Sequence, residues 1–207
     1  MSTLLSNFKN YKLGFVLLAG FAITGCSKDD DAPGHENEEE IITDVKLVFT
    51  NKSDASDVVE ARAQDPDGEG VQELQILDPI DLNVNKTYTL SLEIANNLET
   101  PGEDITEEIV AEDHEHQIFY SFTNDAFAAP LGNGNVDNTS DPLTYNDADE
   151  NNNPVGLSTE WETSATQLTG GTFTVRLQHQ PDGIKTSTSG AGDGDTDFNL
   201  QFVLNIQ

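Results

Sequence analysis

Three histidines lie at the ends of predicted strands, and their side chains would come together if those strands were neighbours. His114 and His116 precede an alternating apolar row that begins at Ile118, and His179 follows a row that ends at Leu177. Because residues two apart in a strand share a face, each histidine continues a row that enters the core. If the two strands run antiparallel, the start of one and the end of the other meet at the same end of a sheet.

Such a cluster would suit a divalent transition metal. Imidazole nitrogens and carboxylate oxygens are the ligands of zinc, and copper or nickel accept a similar set. Glu112 lies two residues before His114 and supplies a carboxylate next to His114 and His116. We therefore predict Glu112, His114, His116 and His179 as ligands of Zn²⁺ or of another divalent transition metal. The alternative is that these are polar residues at the solvent-accessible edge of the hydrophobic core, with no metal bound.

Two acidic loops place oxygen ligands at alternate positions, as calcium-binding loops do. The candidate residues are Asp65, Asp67 and Glu69 in the first loop and Asp147, Asp149 and Asn151 in the second. Neither loop completes the EF-hand pattern, which requires a glycine at the sixth position and a glutamate at the twelfth. Ca²⁺ is therefore a weaker expectation than a transition metal, and solvated turns are the alternative.

The sequence does not predict an enzyme. It has no Gly-x-Ser-x-Gly nucleophile motif and no glycine-rich phosphate loop leading into a helix. The 38 acidic residues make any single pair of carboxylates uninformative as a glycosidase signature. We expect a protein that binds rather than one that catalyses.

The elements that carry these residues are predicted to be strands, because apolar residues recur with a period of two. The predicted rows are 45–49, 58–63, 74–77, 88–94, 118–122, 155–161, 173–177 and 198–206. Strands with one apolar face favour an all-β fold, an antiparallel two-sheet sandwich of the immunoglobulin-like kind. A jelly roll is not separated from it by sequence. We predict at most one short helix, at 105–111.

The N-terminus predicts export and lipidation. Lys9 and Lys12 precede an apolar run from 13 to 23, which is too short to span a bilayer because a span needs roughly 20 residues. Ile23-Thr24-Gly25-Cys26 resembles a lipobox, and Cys26 is the only cysteine. We predict a signal peptide at 1–25, lipidation of Cys26, an acidic tether at 26–40 and a sandwich domain at 41–207.

Charge excludes one class of partner. Without Lys9 and Lys12, seven basic residues remain against 38 acidic ones, a formal charge of −31 for the predicted mature chain. Such a surface repels nucleic acid and raises the local concentration of cations. We therefore expect no nucleic-acid partner and expect the membrane to be reached through the lipid on Cys26.

Several segments together resemble a group of uncharacterised small lipoproteins of Flavobacteria and other Bacteroidota. These segments are the lipobox with the acidic residues 27–31, and the runs 65–70, 103–108, 115–117, 145–149 and 178–181. The resemblance implies a lipid-anchored protein of the outer membrane that faces the cell exterior, with a periplasm-facing anchor as the alternative. It also implies a TonB-dependent receptor as partner. Proteins of this group are often labelled as having a type 1 periplasmic-binding fold, which has two α/β lobes. The strand pattern does not fit that label.

The expected function is capture of a divalent metal, or of a metal-bearing ligand, at the cell surface for uptake through the outer membrane. The alternative is a non-catalytic adhesion or structural surface module whose acidic loops are stabilised by calcium.

Overall fold

The structure is a computed structural model that describes residues 41–67, 73–98, 100–134, 136 and 143–207. The predicted signal peptide, Cys26 and the tether lie outside the described residues, and so does Glu69. No helix among the described residues has the length and apolar character needed to cross a membrane.

The described residues form two β-sheets and one short helix. The first sheet contains β1 (Asp44–Asn51), β2 (Val58–Gln64), β3 (Gln75–Ile76), β5 (Thr87–Ala95), β7 (Phe127–Ala129), β8 (Thr144–Tyr145) and β9 (Ser158–Thr163). The second contains β4 (Ile80–Leu82), β6 (His116–Phe122), β10 (Leu168–His179) and β11 (Asp195–Ile206). The helix α1 spans Ile105–Ala111, as predicted.

The two sheets pack face to face, which confirms the predicted all-β sandwich. In the first sheet the strand order is β3-β2-β1-β5-β9-β7, with β8 also paired to β9, and in the second it is β4-β11-β10-β6. In immunoglobulin-like sandwiches, strands A, B, E and D form one sheet and C, F and G the other. By pairing and by order along the chain, β1, β5, β9 and β8 correspond to strands A, B, E and D, and β6, β10 and β11 correspond to strands C, F and G. The alternating α/β lobes of a type 1 periplasmic-binding fold are not the fold of the described residues.

The core lies between the sheets because each long strand has one apolar face. Leu47 on β1, Leu90 on β5 and Leu200 on β11 are buried members of one continuous cluster. Trp161 on β9 is fully buried at its centre, and its ring contacts the rings of four neighbouring aromatic residues, Tyr120, Phe122, Phe127 and Phe173. Burial of such rings supplies much of the stability of a sandwich of this size.

The row predicted as a strand at 155–161 is only partly one. The strand β9 begins at Ser158, and Val155 and Leu157 are buried residues of the loop before it. The Val155 carbonyl accepts a hydrogen bond from the Ile118 N–H at 2.7 Å. This loop therefore bonds to the edge of β6 that does not pair with β10. Alternation correctly indicated burial here, but the residues pair as a loop rather than as part of a strand.

Candidate functional site

His116 and His179 are direct cross-strand partners. The strand β6 begins at His116, β10 ends at His179, and the two strands pair antiparallel with these residues opposite each other. The imidazole rings are stacked, with centroids 4.6 Å apart and an interplanar angle of 11°. The predicted meeting of a strand start with a strand end is therefore present in the fold.

Both histidines continue apolar rows at the edge of the core. Ile118 and Leu177, two residues further into each strand, are fully buried and also lie opposite each other. His116 is 0% exposed and His179 is 8% exposed. Two imidazoles are thus held at the end of the sandwich with very little contact with bulk water.

Glu112 completes a group of three possible ligands. It follows α1 as the C-cap residue and is half-buried. One carboxylate oxygen of Glu112 and one ring nitrogen from each of His116 and His179 all lie within 4.8 Å of one another. A group of this kind could hold a metal ion, once the side chains reorient to bring these atoms to the usual ligand distance of about 2.0–2.2 Å from it.

The backbone fixes the tautomer of His116. Its Nδ1 lies 3.2 Å from the carbonyl oxygen of Glu112. Because a carbonyl oxygen can only accept, Nδ1 carries the proton and Nε2 carries the lone pair. Histidines that bind metals in proteins almost always donate their other ring N–H in this way, which orients the ring and makes the ligating nitrogen more basic.

The surroundings keep His116 neutral. Burial, followed by the nearby His179, lowers the pKa of His116 from 6.5 to about 4. A neutral imidazole is the form that binds metals, so no proton has to be displaced from His116 near pH 7.

Glu115 is a second carboxylate at this end of the sandwich. Its Oε2 lies 3.5 Å from Nε2 of His179. The same short turn therefore carries both Glu112 and Glu115 towards the histidine pair. Glu115 can orient the His179 ring or supply a further oxygen ligand.

His114 lies outside this group. The side chain of His114 is 54% exposed, and its ring nitrogens face the carboxylates of Asp113 and Glu115 at 4.0 and 3.5 Å. The row that we predicted through His114 stops at His116, because residues 112–115 form a turn and β6 begins only at His116. The structure therefore brings together three of the four predicted metal ligands.

The second acidic loop uses its carboxylates to hold its own backbone. Asp147 accepts hydrogen bonds from the backbone N–H groups of Gly156 and Ser158 at 2.9 and 3.1 Å. Asp149 accepts from the N–H groups of Asn151 and Asn153, both at 2.8 Å. Burial raises the pKa of Asp147 despite these hydrogen bonds. The alternating acids of this loop thus have a structural explanation that does not require calcium.

The first acidic loop is described only in part. The Asp65 carboxylate accepts a hydrogen bond from the Asp67 N–H at 3.1 Å, which is a common way of forming a turn. Asp65 is 8% exposed and Asp67 is exposed. A calcium site at Asp65, Asp67 and Glu69 stays a prediction.

Sequence reasoning missed Lys185 as a residue of this region. Its buried ammonium group donates hydrogen bonds to the carbonyl oxygens of Asp113 and His116 at 2.5 and 2.8 Å. Nothing local marks this lysine, because it lies in a polar loop without periodicity. The one signal in the sequence was that basic residues are rare in this chain, which has nine of them.

No protein-family model, curated protein or solved structure matches this chain. The function therefore has to be inferred from the chemistry of the site, since a sandwich fold by itself is compatible with many functions.

Proposed function

We propose that this protein binds a divalent transition metal ion, or a ligand that carries one, through Glu112, His116 and His179. The observation that carries this proposal is the convergence of these three side chains within 4.8 Å at the buried edge of the core. They come from two strands and a helix end, and two of the three are separated by more than 60 positions in the chain.

The donor set favours zinc or a similar ion. Two imidazole nitrogens and one carboxylate match the ligands of zinc, nickel and copper, whereas calcium and magnesium prefer sites built from oxygen. Three protein ligands leave one position of a tetrahedral site open. A water molecule, Glu115 or a donor atom of a metal-bearing ligand can fill it.

The charge of the protein supports capture of a cation. The formal net charge is −29 at pH 7. An excess of acidic groups concentrates cations near the surface and speeds their encounter with a site, most strongly at low ionic strength. A dilute metal ion would therefore meet this protein more often than it would meet a neutral one.

The setting that we propose is the outer membrane. Lipidation of Cys26 would hold the domain at the membrane surface, and the acidic tether would separate the domain from the lipids. A TonB-dependent receptor is the proposed recipient of the captured metal. The adhesion module with calcium-stabilised loops has less support, because the Asp147 and Asp149 carboxylates already accept hydrogen bonds from their own loop.

Zinc binding by the full chain in mild detergent, measured by competition with a chromophoric chelator, tests the proposal. We expect on the order of one zinc ion per chain. His116→Ala and His179→Ala should each weaken binding at least tenfold, which is about 1.4 kcal/mol. The matched control is His114→Ala, which removes an exposed histidine of the same segment and should leave the affinity unchanged. The proposal fails if the unaltered chain shows no saturable zinc binding, or if the two buried histidines prove dispensable.

A further inference from the structure

Lys185 is buried next to the candidate metal site. It lies in the loop between β10 and β11, and its side chain is 0% exposed. Lysines are almost never fully buried unless they are paired. Its Nζ lies 3.5 Å from Oδ2 of Asp149, whose side chain is 1% exposed. This pair therefore lies inside the protein rather than on its surface.

The ammonium group also holds the turn that carries two of the three possible ligands. It donates to the carbonyl oxygens of Asp113, at 2.5 Å, and of His116, at 2.8 Å. Asp113 directly follows Glu112, and His116 is itself a candidate ligand. One charged group therefore fixes both ends of the turn between α1 and β6.

Asp149 is a rigid partner for this ammonium group. Besides its two backbone hydrogen bonds, its Oδ2 accepts a hydrogen bond from the side-chain amide of Asn153 at 3.1 Å. A carboxylate and two carbonyl oxygens thus surround Nζ of Lys185. Carboxylate and carbonyl oxygens are also the ligands of a metal cation bound in an acidic loop. Here the cation that they surround is the ammonium group of Lys185.

The electrostatics agree with a charged pair. Burial lowers the pKa of Lys185, while Asp149 and the other nearby carboxylates oppose this shift. Burial also acts to raise the pKa of Asp149, but the hydrogen bonds from Asn153 and the charge of Lys185 outweigh it and leave that pKa lowered. A lysine held by a carboxylate and two carbonyls is restricted in position, and it restricts the backbone to which it is bonded.

We propose that the Lys185–Asp149 pair is a positioning device for the metal site, which holds Glu112 and His116 in place without touching the metal. The inference rests on the proposed metal-binding function. It assigns the second acidic loop the role of anchoring an internal ammonium group, in place of the predicted role of binding calcium.

The direction in which Lys185→Met changes the zinc affinity distinguishes a positioning role of Lys185 from an effect of its charge alone. The ammonium of Lys185 is a positive charge close to His116, and a nearby positive charge disfavours a bound cation. If only this charge mattered, Lys185→Met would strengthen zinc binding. If Lys185 positions the turn, the same substitution weakens zinc binding even though it removes a repulsive charge.

The full chain in mild detergent is the protein to test, with zinc and cobalt ions as probes. Lys185→Met alone is compared with Lys185→Met/Asp149→Asn, which removes both charges and avoids an unpaired buried carboxylate. Replacing a buried ion pair by neutral groups is often tolerated. The control is Lys46→Met/Glu93→Gln, which removes an ion pair between a half-buried lysine and an exposed glutamate on the other sheet.

We expect both Lys185 variants to bind zinc about 10–100-fold more weakly, the range that is typical of residues supporting a metal ligand. The visible absorption spectrum of bound cobalt should also change, since it reports ligand geometry. If the double variant does not fold, Asn153→Ala is the second variant. It removes one hydrogen bond from Asp149 and should shift the affinity in the same direction by a smaller factor.

Zinc affinity within twofold of the unaltered chain, together with an unchanged cobalt spectrum, would overturn the inference and leave the metal site standing. Tighter binding by Lys185→Met would do the same, because it would show that only charge matters. If the unaltered chain binds no zinc at all, both the proposed function and this inference fall.

Discussion

His116 and His179 lie opposite each other on neighbouring antiparallel strands, with their rings parallel to within 11° and their centroids 4.6 Å apart. Burial and then the neighbouring His179 lower the pKa of His116, because a positive charge on this buried ring would be poorly solvated. For both rings to bind one divalent cation, at least one ring has to rotate out of the stack, because the lone pair of a ring nitrogen lies in the plane of its own ring. This relationship links the fold to the proposed function.

Zinc should stabilise the folded protein. A ligand that binds only the native state at 100 times its dissociation constant adds about 2.7 kcal/mol. In a domain of this size that corresponds to a rise in Tm of roughly 5–10 °C. Thermal unfolding followed by circular dichroism, with zinc or with a chelator, measures the shift.

The same unfolding experiment separates zinc from calcium. The His116→Ala variant should lose the zinc-dependent rise in Tm, and millimolar calcium should leave the Tm of the unaltered chain unchanged. A rise with calcium that persists in His116→Ala would instead support the surface module with calcium-stabilised loops.

The metal-free protein should lose stability between about pH 6.5 and pH 4. In the unfolded chain His116 accepts a proton near its ordinary pKa of 6.5, whereas burial and His179 lower its pKa in the native state to about 4. Unfolding therefore takes up a proton in this interval, and the free energy of unfolding falls as the pH falls. The full effect is roughly 3 kcal/mol as an upper bound, since one pKa unit is about 1.4 kcal/mol.

Urea unfolding in the presence of a chelator, repeated across this pH interval, measures that effect. His116→Gln is the comparison, because it cannot take up the proton and should show a flatter dependence on pH. The many carboxylates titrate in both proteins, so only the difference between the two curves reports His116. Parallel curves would mean that His116 is not held neutral in the native state.

Removal of the central tryptophan should be among the most destabilising single changes in the sandwich. Trp161 contacts the rings of Tyr120, Phe122, Phe127 and Phe173, and its indole N–H donates to the Thr159 hydroxyl at 2.7 Å. Trp161→Ala leaves a large cavity and should cost about 3–5 kcal/mol.

The unfolding of this variant has to be followed by circular dichroism, because Trp161 is the only tryptophan in the chain and its replacement removes the tryptophan fluorescence. The control is Val203→Ala on β11, a residue that is 49% exposed. That change should alter the free energy of unfolding by no more than about 0.5 kcal/mol. Similar losses for the two variants would contradict the placement of Trp161 at the centre of the core.

The cap of α1 should matter for the candidate metal site as well as for the helix. The Asp104 side chain accepts hydrogen bonds from the N–H groups of Thr106 and Glu107 at 3.0 and 3.4 Å. Asp104→Ala should lower the free energy of unfolding by about 1 kcal/mol. Because Glu112 is the C-cap residue of α1, a loosened helix should also weaken zinc binding.

Chemical unfolding and chelator competition on the same preparations measure both effects. Asp104→Ser keeps an oxygen that can cap the helix and should retain most of the stability and affinity. Equal losses for serine and alanine would show that the hydrogen bonds of the cap are not the cause.

The long strands could be predicted because their signal is local. The row Val45, Leu47 and Phe49 and the row from Phe198 to Ile206 show the period of two and are buried on one face. The strands β4, β7 and β8 contain only two or three residues each, which is too short for any alternation to be visible. They exist because neighbouring strands offer unpaired backbone groups, and a short segment does not encode that.

Part of the candidate metal site could be predicted for the same reason. His116 and His179 extend apolar rows, so their location at the ends of two strands was readable from spacing alone. His114 shares that spacing, but residues 112–115 turn so that the chain can pass from α1 into β6. Lys185 gave no local pattern, because its partners Asp113, His116 and Asp149 lie between 36 and 72 positions away in the chain.

The sequence by itself determined which faces of the strands are apolar, where the histidines fall along them and how acidic the protein is. These properties depend on residues that are close together in the chain. Only the tertiary structure decided that β6 and β10 are neighbours in a register that places His116 against His179, and that a buried ammonium holds the turn between them and α1. Strand order and register are set by the packing of residues far apart in the chain, and no local pattern contains that information.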